Sequence, residues 1–214
     1  MIDEHQRWHR RQLMEKAGAA LEKNGFAVHL FDDREAAVSH LSAATSESSS
    51  VGFGGSMTLA QLQLPEVIAG QGKKTLVHGR PGLSHEERQQ IMREQLTCDL
   101  FMTSTNALTL DGHLVNIDGN GNRVCAMSFG PKKVVVVAGS NKIASDNEAA
   151  FKRVKEVACP PNAKRLGFKT PCATTGVCTD CDSEQRICRI TSIIERCPLS
   201  TPIEICLIND DLGY

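Results

Sequence analysis

The chain has 214 residues, of which 41% are hydrophobic and 23% charged, and its formal net charge at pH 7 is -1. This length and composition suit one large globular domain, which folds without disulfides because it buries roughly 70% of its unfolded surface. The near-neutral charge and the single tryptophan and tyrosine argue against a nucleic-acid-binding protein. Such a protein needs a basic surface or aromatic side chains that stack on bases.

The sequence contains no apolar stretch near the ~20 residues that span a bilayer, and the polar start of the chain lacks the apolar part of a secretory signal. We therefore expect a cytoplasmic protein without a membrane span. The cytosol keeps thiols reduced, so the nine cysteines are expected to be metal ligands, reactive thiols or core residues, and not disulfides.

The first half of the chain predicts alternating helices and strands. Leu13, Ala17 and Leu21 recur at helical spacing, and Asn24-Gly25 is a typical helix end, so a helix is predicted over 3–24. Ser84 and Glu87 have the spacing of a capping box, which predicts the start of a later helix. The other predicted elements are helices at 33–44, 57–64 and 84–96 and strands at 26–31, 51–53, 75–78 and 99–103.

The second half begins with a predicted hairpin, in which strands at 107–110 and 113–117 are joined by a turn. Residues 134–139 are apolar throughout, as expected of a strand that is covered on both faces of a parallel sheet. A helix at 146–158 and a last strand at 203–208 complete the predicted elements.

This alternation predicts an α/β fold with three layers, in which helices flank a mostly parallel sheet. Residues 159–202 interrupt the alternation with prolines, cysteines and turns. We therefore predict an α/β domain formed by residues 1–158 and 203–214, with a Cys-rich C-terminal segment, 159–202, packed on it.

A glycine-rich loop, Gly52-Phe-Gly-Gly-Ser-Met-Thr58, connects a predicted buried strand to a helix. Glycines allow a tight turn and let an anion approach the backbone N–H groups, and serine or threonine can cap the helix or bind the ligand. In open parallel sheets such loops lie at the edge where ligands bind. A plain strand-to-helix turn with a hydroxyl cap explains the loop equally well. The candidate ligand-binding residues of the loop are Gly54, Gly55, Ser56 and Thr58.

The segment 103–123 is unusually dense in Asn, Asp, Thr and Gly. Turn formation explains its glycines but not all of its other polar residues. Arg123 could hold a carboxylate or phosphate in bidentate fashion, or form a surface ion pair. Asp111 and Asp118 are weak candidates for a catalytic base, since neither has an identifiable activating partner. The candidate ligand-binding residues of this segment are Asn106, Asn116, Asp118, Asn122 and Arg123.

Four cysteines lie close together in the Cys-rich segment. A C-x2-C pair with two flanking cysteines can supply four thiolates to a zinc ion or an iron–sulfur cluster. Free thiols or a redox pair formed by the two central cysteines are the alternative. The candidate ligands are Cys172, Cys178, Cys181 and Cys188. Three further cysteines are predicted to be small core residues in strands, namely Cys98, Cys125 and Cys206. Cys159 and Cys197 are left unassigned.

Several motifs in the same order resemble the LUD-domain family of lactate-utilisation proteins over about residues 5–190 of the chain. They are Gly54-Gly55-Ser56-Met57-Thr58, Asn106-Ala107-Leu108-Thr109 with Asp111-Gly112, Asn116-Ile117-Asp118-Gly119, Gly121-Asn122-Arg123-Val124, Gly130-Pro131-Lys132-Lys133-Val134 and Gly139-Ser140-Asn141-Lys142.

The resemblance implies the fold shared by ribose-5-phosphate isomerase, glucosamine-6-phosphate deaminase and CoA-transferases, where the glycine loop binds a phosphate or its equivalent. It adds Thr109, Asn141 and Lys142 to the ligand-binding candidates. It also implies a role in the use of lactate or a similar 2-hydroxy acid, within an L-lactate-oxidising complex that contains iron–sulfur oxidoreductase subunits. The ligand would be a small anionic metabolite, and a homo-oligomer is compatible with this role.

Two other functions stay open. The chain could be a stand-alone isomerase or transferase acting on a sugar phosphate or an acyl substrate, although the acid–base residues of the isomerases and the CoA-transferase glutamate are not recognisable. It could also be a regulatory module that senses a metabolite with the same pocket. Turnover by the purified chain would favour the first, and binding without turnover the second.

Overall fold

Helices and strands alternate along most of the computed structural model, which describes residues 3–214. The first two residues of the predicted α/β domain lie outside this range. The helices are α1 (Glu4–Lys23), α2 (Arg34–Ala43), α3 (Met57–Gln61), α4 (Leu64–Ala69), α5 (His85–Gln95), α6 (Asn122–Ser128), α7 (Asn147–Arg153), α8 (Cys159–Arg165) and α9 (Pro171–Thr175). The strands are β1 (Ala27–Phe31), β2 (Ser50–Phe53), β3 (Lys74–Val77), β4 (Leu100–Thr103), β5 (Ala107–Thr109), β6 (Leu114–Asp118), β7 (Lys133–Gly139), β8 (Ile143–Ala144), β9 (Ile190–Ile194) and β10 (Ile203–Ile208). Among the described residues, no helix combines the length and apolarity needed to cross a membrane.

The larger sheet has six strands in the order β1-β10-β7-β4-β2-β3, and each neighbouring pair is parallel. Helices cover both faces. Met14 of α1 and Met127 of α6 pack on one face, and Leu41 of α2 and Ile68 of α4 pack on the other. The central strand β7 is buried from Val134 onward, as its apolar sequence predicts. The predicted three-layer α/β fold with a mostly parallel sheet is therefore confirmed.

A second, smaller sheet has the strand order β8-β5-β6-β9. Its β5–β6 pair is the predicted hairpin, with Ala107 opposite Val115. The sequence analysis did not predict β8, which has two residues, or β9, which is mostly exposed and therefore lacks the apolar pattern of a core strand. This sheet packs on α7 through a small separate core.

The helix predicted over 146–158 continues further along the chain. A π-helical turn, Val154–Ala158, joins α7 to α8, which contains Pro160 and Pro161 in its first turn. Proline is tolerated there because the first N–H groups of a helix have no intrahelical partner. The two prolines therefore mark a change of helix geometry, and not the end of the helix.

Helix α6 was missed in the sequence analysis, and the core assignment of Cys125 was wrong. Gly121 adopts a φ of 82° just before the helix, and this left-handed turn redirects the chain out of the hairpin. Cys125 is consequently an exposed helical residue, whereas Cys98 and Cys206 are buried as predicted.

Candidate functional site

The candidate site lies at the carboxyl ends of four neighbouring strands, β10, β7, β4 and β2. Its centre is Lys142, which follows β7 and is only 4% exposed. The lysine Nζ donates to Thr58 Oγ1 at 3.0 Å, to Ser104 Oγ at 2.9 Å and to the Thr105 carbonyl at 3.2 Å. The predicted ligand-binding residues Thr58 and Lys142 are thus in direct contact.

Burial, together with the positive charges of Arg153 and Arg123, lowers the pKa of Lys142 to about 7. Desolvation disfavours the ammonium form, and nearby cations repel it. Near neutral pH the side chain can therefore attract an anion as an ammonium group or accept a proton as an amine.

Arg153 is a second cation of the site, and the sequence analysis did not identify it. Its guanidinium donates to three main-chain oxygens, those of Asn106 at 2.6 Å, Asn141 at 3.0 Å and Tyr214 at 3.3 Å. Burial lowers the pKa of Arg153 to about 10. Within residues 3–214, neither Arg153 nor Lys142 forms an ion pair with an Asp or Glu side chain, so no acidic side chain compensates the positive charge of the site.

Arg123 is paired with Asp118, and the two side chains organise the start of α6. The Asp118 carboxylate accepts hydrogen bonds from Arg123 Nε at 2.9 Å, from Arg123 Nη2, and from the backbone N–H groups of Arg123 and Val124. Arg123 also donates to Asn106 Oδ1 at 2.8 Å. With its oxygens engaged in this way, Asp118 is suited to position Arg123 and poorly suited to act as a base.

Two asparagines hydrogen-bond the backbone at the β6 end of the site. Asn116 Oδ1 accepts from the Asn106 backbone N–H at 3.0 Å, and Asn106 Oδ1 accepts from the Ile117 backbone N–H at 2.9 Å. Asn116 is fully buried, and its Nδ2 has no hydrogen-bond partner among the described residues. A buried donor without a partner is costly, so this amide group is available to a ligand oxygen or a water molecule.

In the glycine loop, close packing explains Gly54. A Cβ at Gly54 would lie 2.6 Å from Thr103 Oγ1, whereas one at Gly55 would meet only the His78 ring, at 3.4 Å or beyond. Ser56 caps α3 by accepting from the Leu59 backbone N–H. The plain strand-to-helix turn thus accounts for Gly54 and Ser56, while Gly55 is exposed and borders the site.

His78 lies beside Gly55, at the border of the site. Burial lowers the pKa of His78, while a hydrogen bond from Gln95 to its Nδ1, 3.1 Å long, acts in the opposite direction. The net effect favours a neutral imidazole.

The C-terminal segment, Leu212–Tyr214, closes one side of the site. Thr58 Oγ1 donates to the Leu212 carbonyl at 3.2 Å. Gly213 has a φ of 65°, and a Cβ there would lie 2.6 Å from Thr58 Oγ1 and 3.3 Å from Lys142 Nζ. The predicted ligand residue Asn141 holds this segment in place, since its Oδ1 accepts from the Leu212 N–H at 3.2 Å.

Three other predicted residues lie outside the hydrogen-bond network of Lys142. Thr109 Oγ1 accepts from the His113 N–H inside the β5–β6 hairpin. Asp111 is exposed in the hairpin turn, where its backbone carbonyl accepts from Asn24. Asn122 opens α6, and its side chain makes no hydrogen bond within residues 3–214.

The cysteines of the Cys-rich segment are all free thiols. Cys188 Sγ lies 3.3 Å from Sγ of Cys159, a residue that the sequence analysis left unassigned. Within residues 3–214, no three thiols offer sulfur atoms that all lie within 4.8 Å of one another. The thiols as placed therefore do not form the compact tetrahedron that a zinc ion requires.

Comparisons with known proteins agree with this fold. The model of the LUD domain family matches residues 14–208 of the chain. The chain is also similar in structure to a DUF162 family protein from Deinococcus radiodurans, with a TM-score of 0.54 and 14% sequence identity, over 93% of this chain and 98% of that chain. At this identity the likeness shows the fold alone. No curated protein matches the chain.

Proposed function

The chain belongs to the LUD domain family, and on this premise we propose that it serves lactate utilisation by binding a small anionic metabolite at the carboxyl edge of the parallel sheet. The family supports a general role related to lactate utilisation. The observation that carries the finer proposal is the pair of cations formed by the buried Lys142 and the half-buried Arg153, neither of which has an Asp or Glu partner in residues 3–214.

Buried charges are expensive unless they are paired, and a bound carboxylate would supply the missing partner. Arg153 Nη2 makes no hydrogen bond within the described residues, so it can donate to a carboxylate oxygen, while the Lys142 ammonium adds a second positive charge. Thr58 and Ser104 donate their hydroxyl protons to the Leu212 and Thr105 carbonyls and accept from Lys142, so each oxygen keeps one lone pair that can accept from the hydroxyl of a 2-hydroxy acid.

Lactate is a small ligand with this combination of one carboxylate and one neighbouring hydroxyl. Its oxidation to a 2-oxo acid releases two electrons and two protons. We propose that iron–sulfur oxidoreductase subunits are the partners that take the electrons, and that this chain holds the anion. The resemblance of its motifs to those of lactate-utilisation proteins supports this division of labour.

Titration calorimetry with L-lactate, D-lactate, pyruvate and phosphate tests the proposal. The wild type should bind at least one of these anions, and Lys142→Met should weaken that binding by tenfold or more, since the attraction of a nearby unit charge in a partly buried site exceeds about 1.4 kcal/mol. Lys152→Met is the matched control, because Lys152 is exposed on α7. Equal affinity in the two variants, or no binding by the wild type, would contradict the proposal.

The four thiols of the Cys-rich segment support a second proposal, that this segment binds an iron–sulfur cluster. In a four-iron cluster each cysteine binds a different iron, so the sulfurs lie further apart than the ligands of one zinc ion. The thiols as placed lack the compact set that one zinc ion needs, since no three sulfurs of residues 3–214 lie within 4.8 Å of one another. Lys155 and Arg186, both near Cys188, favour the thiolate form that metal binding requires.

Metal analysis of protein purified without oxygen tests this cofactor. Iron should be present in at least stoichiometric amounts, and Cys178→Ser should reduce it strongly, while Cys125→Ser, on the exposed face of α6, should not. Less than a tenth of an equivalent of iron would exclude the cluster, and one equivalent of zinc that Cys178→Ser removes would favour a rearranged zinc site on the cysteines.

A further inference from the structure

Two histidines and a glutamate meet on the sheet face that α2 covers, away from the anion site. His29 lies in the edge strand β1, His40 lies in α2, and Glu204 lies near the start of β10. The anion site follows the other end of β10, so the two places are separated by the length of this strand. The topology, and not the sequence order, brings the three residues together.

The register of the sheet explains the contact. His29 is paired with Cys206, and Glu204 stands two residues before Cys206 on the same face of β10. His40 projects from α2 onto this face. One ligand atom from each of His29, His40 and Glu204 lies within 4.8 Å of the other two.

The distances fit a metal ion shared by the three side chains. Glu204 Oε1 lies 2.7 Å from His40 Nε2 and 3.7 Å from His29 Nε2. Ligand atoms bound to one tetrahedral zinc ion at about 2.0–2.1 Å are roughly 3.3 Å apart, a value between these two distances. The imidazole centroids are 4.3 Å apart, so small rotations of the rings suffice to converge on one ion.

The burial of Glu204 and the charge beside it also support a metal site. The Glu204 side chain is only 7% exposed, and its other oxygen, Oε2, accepts from Lys133 Nζ at 2.6 Å, which fixes the carboxylate and leaves Oε1 facing the histidines. The pKa of Glu204 stays lowered although burial opposes it, because Lys133 and His40 donate hydrogen bonds to it. The His29 side chain is 43% exposed, which gives an ion access from solvent.

A hydrogen-bonded His40–Glu204 pair would account for the glutamate without His29. The second imidazole, facing the same carboxylate oxygen beyond hydrogen-bond distance, is the feature that such a pair does not explain. We propose that His29, His40 and Glu204 bind a divalent transition-metal ion such as zinc, with water in the remaining coordination position. Two imidazoles and one carboxylate are a ligand set that zinc accepts with an open position.

Equilibrium dialysis against micromolar Zn²⁺, with metal per chain measured by mass spectrometry, tests this site. His29→Gln and His40→Gln should each hold one equivalent less than the wild type, or bind that equivalent at least tenfold more weakly. The matched control is His85→Gln, which removes an exposed histidine of α5 and should keep the wild-type content. Zinc on the cysteines contributes equally to all four proteins, so the difference isolates the histidine site.

Glutamine can still hydrogen-bond Glu204, so the fold should persist in His40→Gln, and matching metal-free thermal melts would verify this. Co²⁺ provides an independent readout. Ions bound to nitrogen and oxygen give weak visible bands without the intense near-ultraviolet bands of cobalt thiolates, and only the weak bands should disappear in the two histidine variants. Zinc content and cobalt spectra unchanged by both substitutions would overturn the proposal, whatever the outcome of the anion titrations.

Discussion

Lys142 Nζ donates a hydrogen bond to Thr58 Oγ1 at 3.0 Å, and this contact joins the segment after β7 to the helix that follows the glycine loop. The Thr58 hydroxyl in turn donates to the Leu212 carbonyl at 3.2 Å. Three segments that are distant in sequence therefore meet at one buried amine. Substitutions of Lys142 should affect the ligand affinity most directly.

Anion binding should weaken as pH rises. The free-state pKa of Lys142 is lowered to about 7, so the ammonium form that attracts an anion predominates below pH 7 and is lost above it. Affinity should fall by up to tenfold per pH unit above pH 7, until the higher pKa of the bound lysine is reached. Calorimetry between pH 6 and 9 measures this profile. A profile that is flat, or that rises with pH, would show that the protonated lysine does not contribute.

Arg153→Gln should reduce anion affinity by about tenfold or more, because it removes one of the two unpaired cations and a charged donor. Arg165→Gln provides the matched control, since Arg165 is exposed at the end of α8. Arg153→Gln also removes the donor to Tyr214, so limited proteolysis should cleave the C-terminal segment faster. If both variants bind the anion like the wild type, Arg153 has only a structural role.

Gly54→Ala and Gly55→Ala form a pair that tests which glycine of the loop is required by close packing. A Cβ at Gly54 would lie 2.6 Å from Thr103 Oγ1, so Gly54→Ala should lower the free energy of unfolding by about 1–3 kcal/mol. Gly55→Ala meets no atom closer than 3.4 Å and should change stability by less than about 0.5 kcal/mol. Urea denaturation measures both values, and equal losses would contradict this interpretation of the loop.

Cys188 should be an unusually reactive thiol. Its pKa is lowered, chiefly by a hydrogen bond with Cys159 and then by the charges of Lys155 and Arg186, against the opposing effect of burial. Alkylation of Cys188 in the metal-free protein, followed by mass spectrometry, should therefore rise with a midpoint at lower pH than that of an ordinary thiol. Cys159→Ala should move this midpoint to higher pH, and an unchanged midpoint would show that Cys159 does not stabilise the thiolate.

The sequence predicted the elements that depend on interactions between residues close together in the chain. The apolar run of β7 and the capping box at Ser84 both formed as expected, since burial on two faces and a reciprocal cap leave clear patterns. Lys142 was included through the resemblance to a known family. Its burial depends on four strands ending side by side, which a linear pattern does not contain.

Arg153 shows why the rest of the site was not predictable. In sequence it is an ordinary cation of an amphipathic helix, because nothing nearby in the chain indicates the carbonyls of Asn106, Asn141 and Tyr214 that surround it. His29, His40 and Glu204 are equally inconspicuous, since the register between β1 and β10 brings them together. Pairing between strands that are distant in sequence, and not residue type, creates both the anion site and the cluster of His29, His40 and Glu204.

The carbonyls of Asn106 and Asn141 on Arg153 have a further consequence. Carbonyl oxygens are dipoles, so they can fix the direction of the guanidinium without cancelling its charge. The arginine is therefore already oriented before an anion arrives, and little reorganisation is needed when one enters. Holding the guanidinium in this orientation lowers the free energy of unfolding of the ligand-free protein. A bound anion stabilises the folded state and so raises that free energy again.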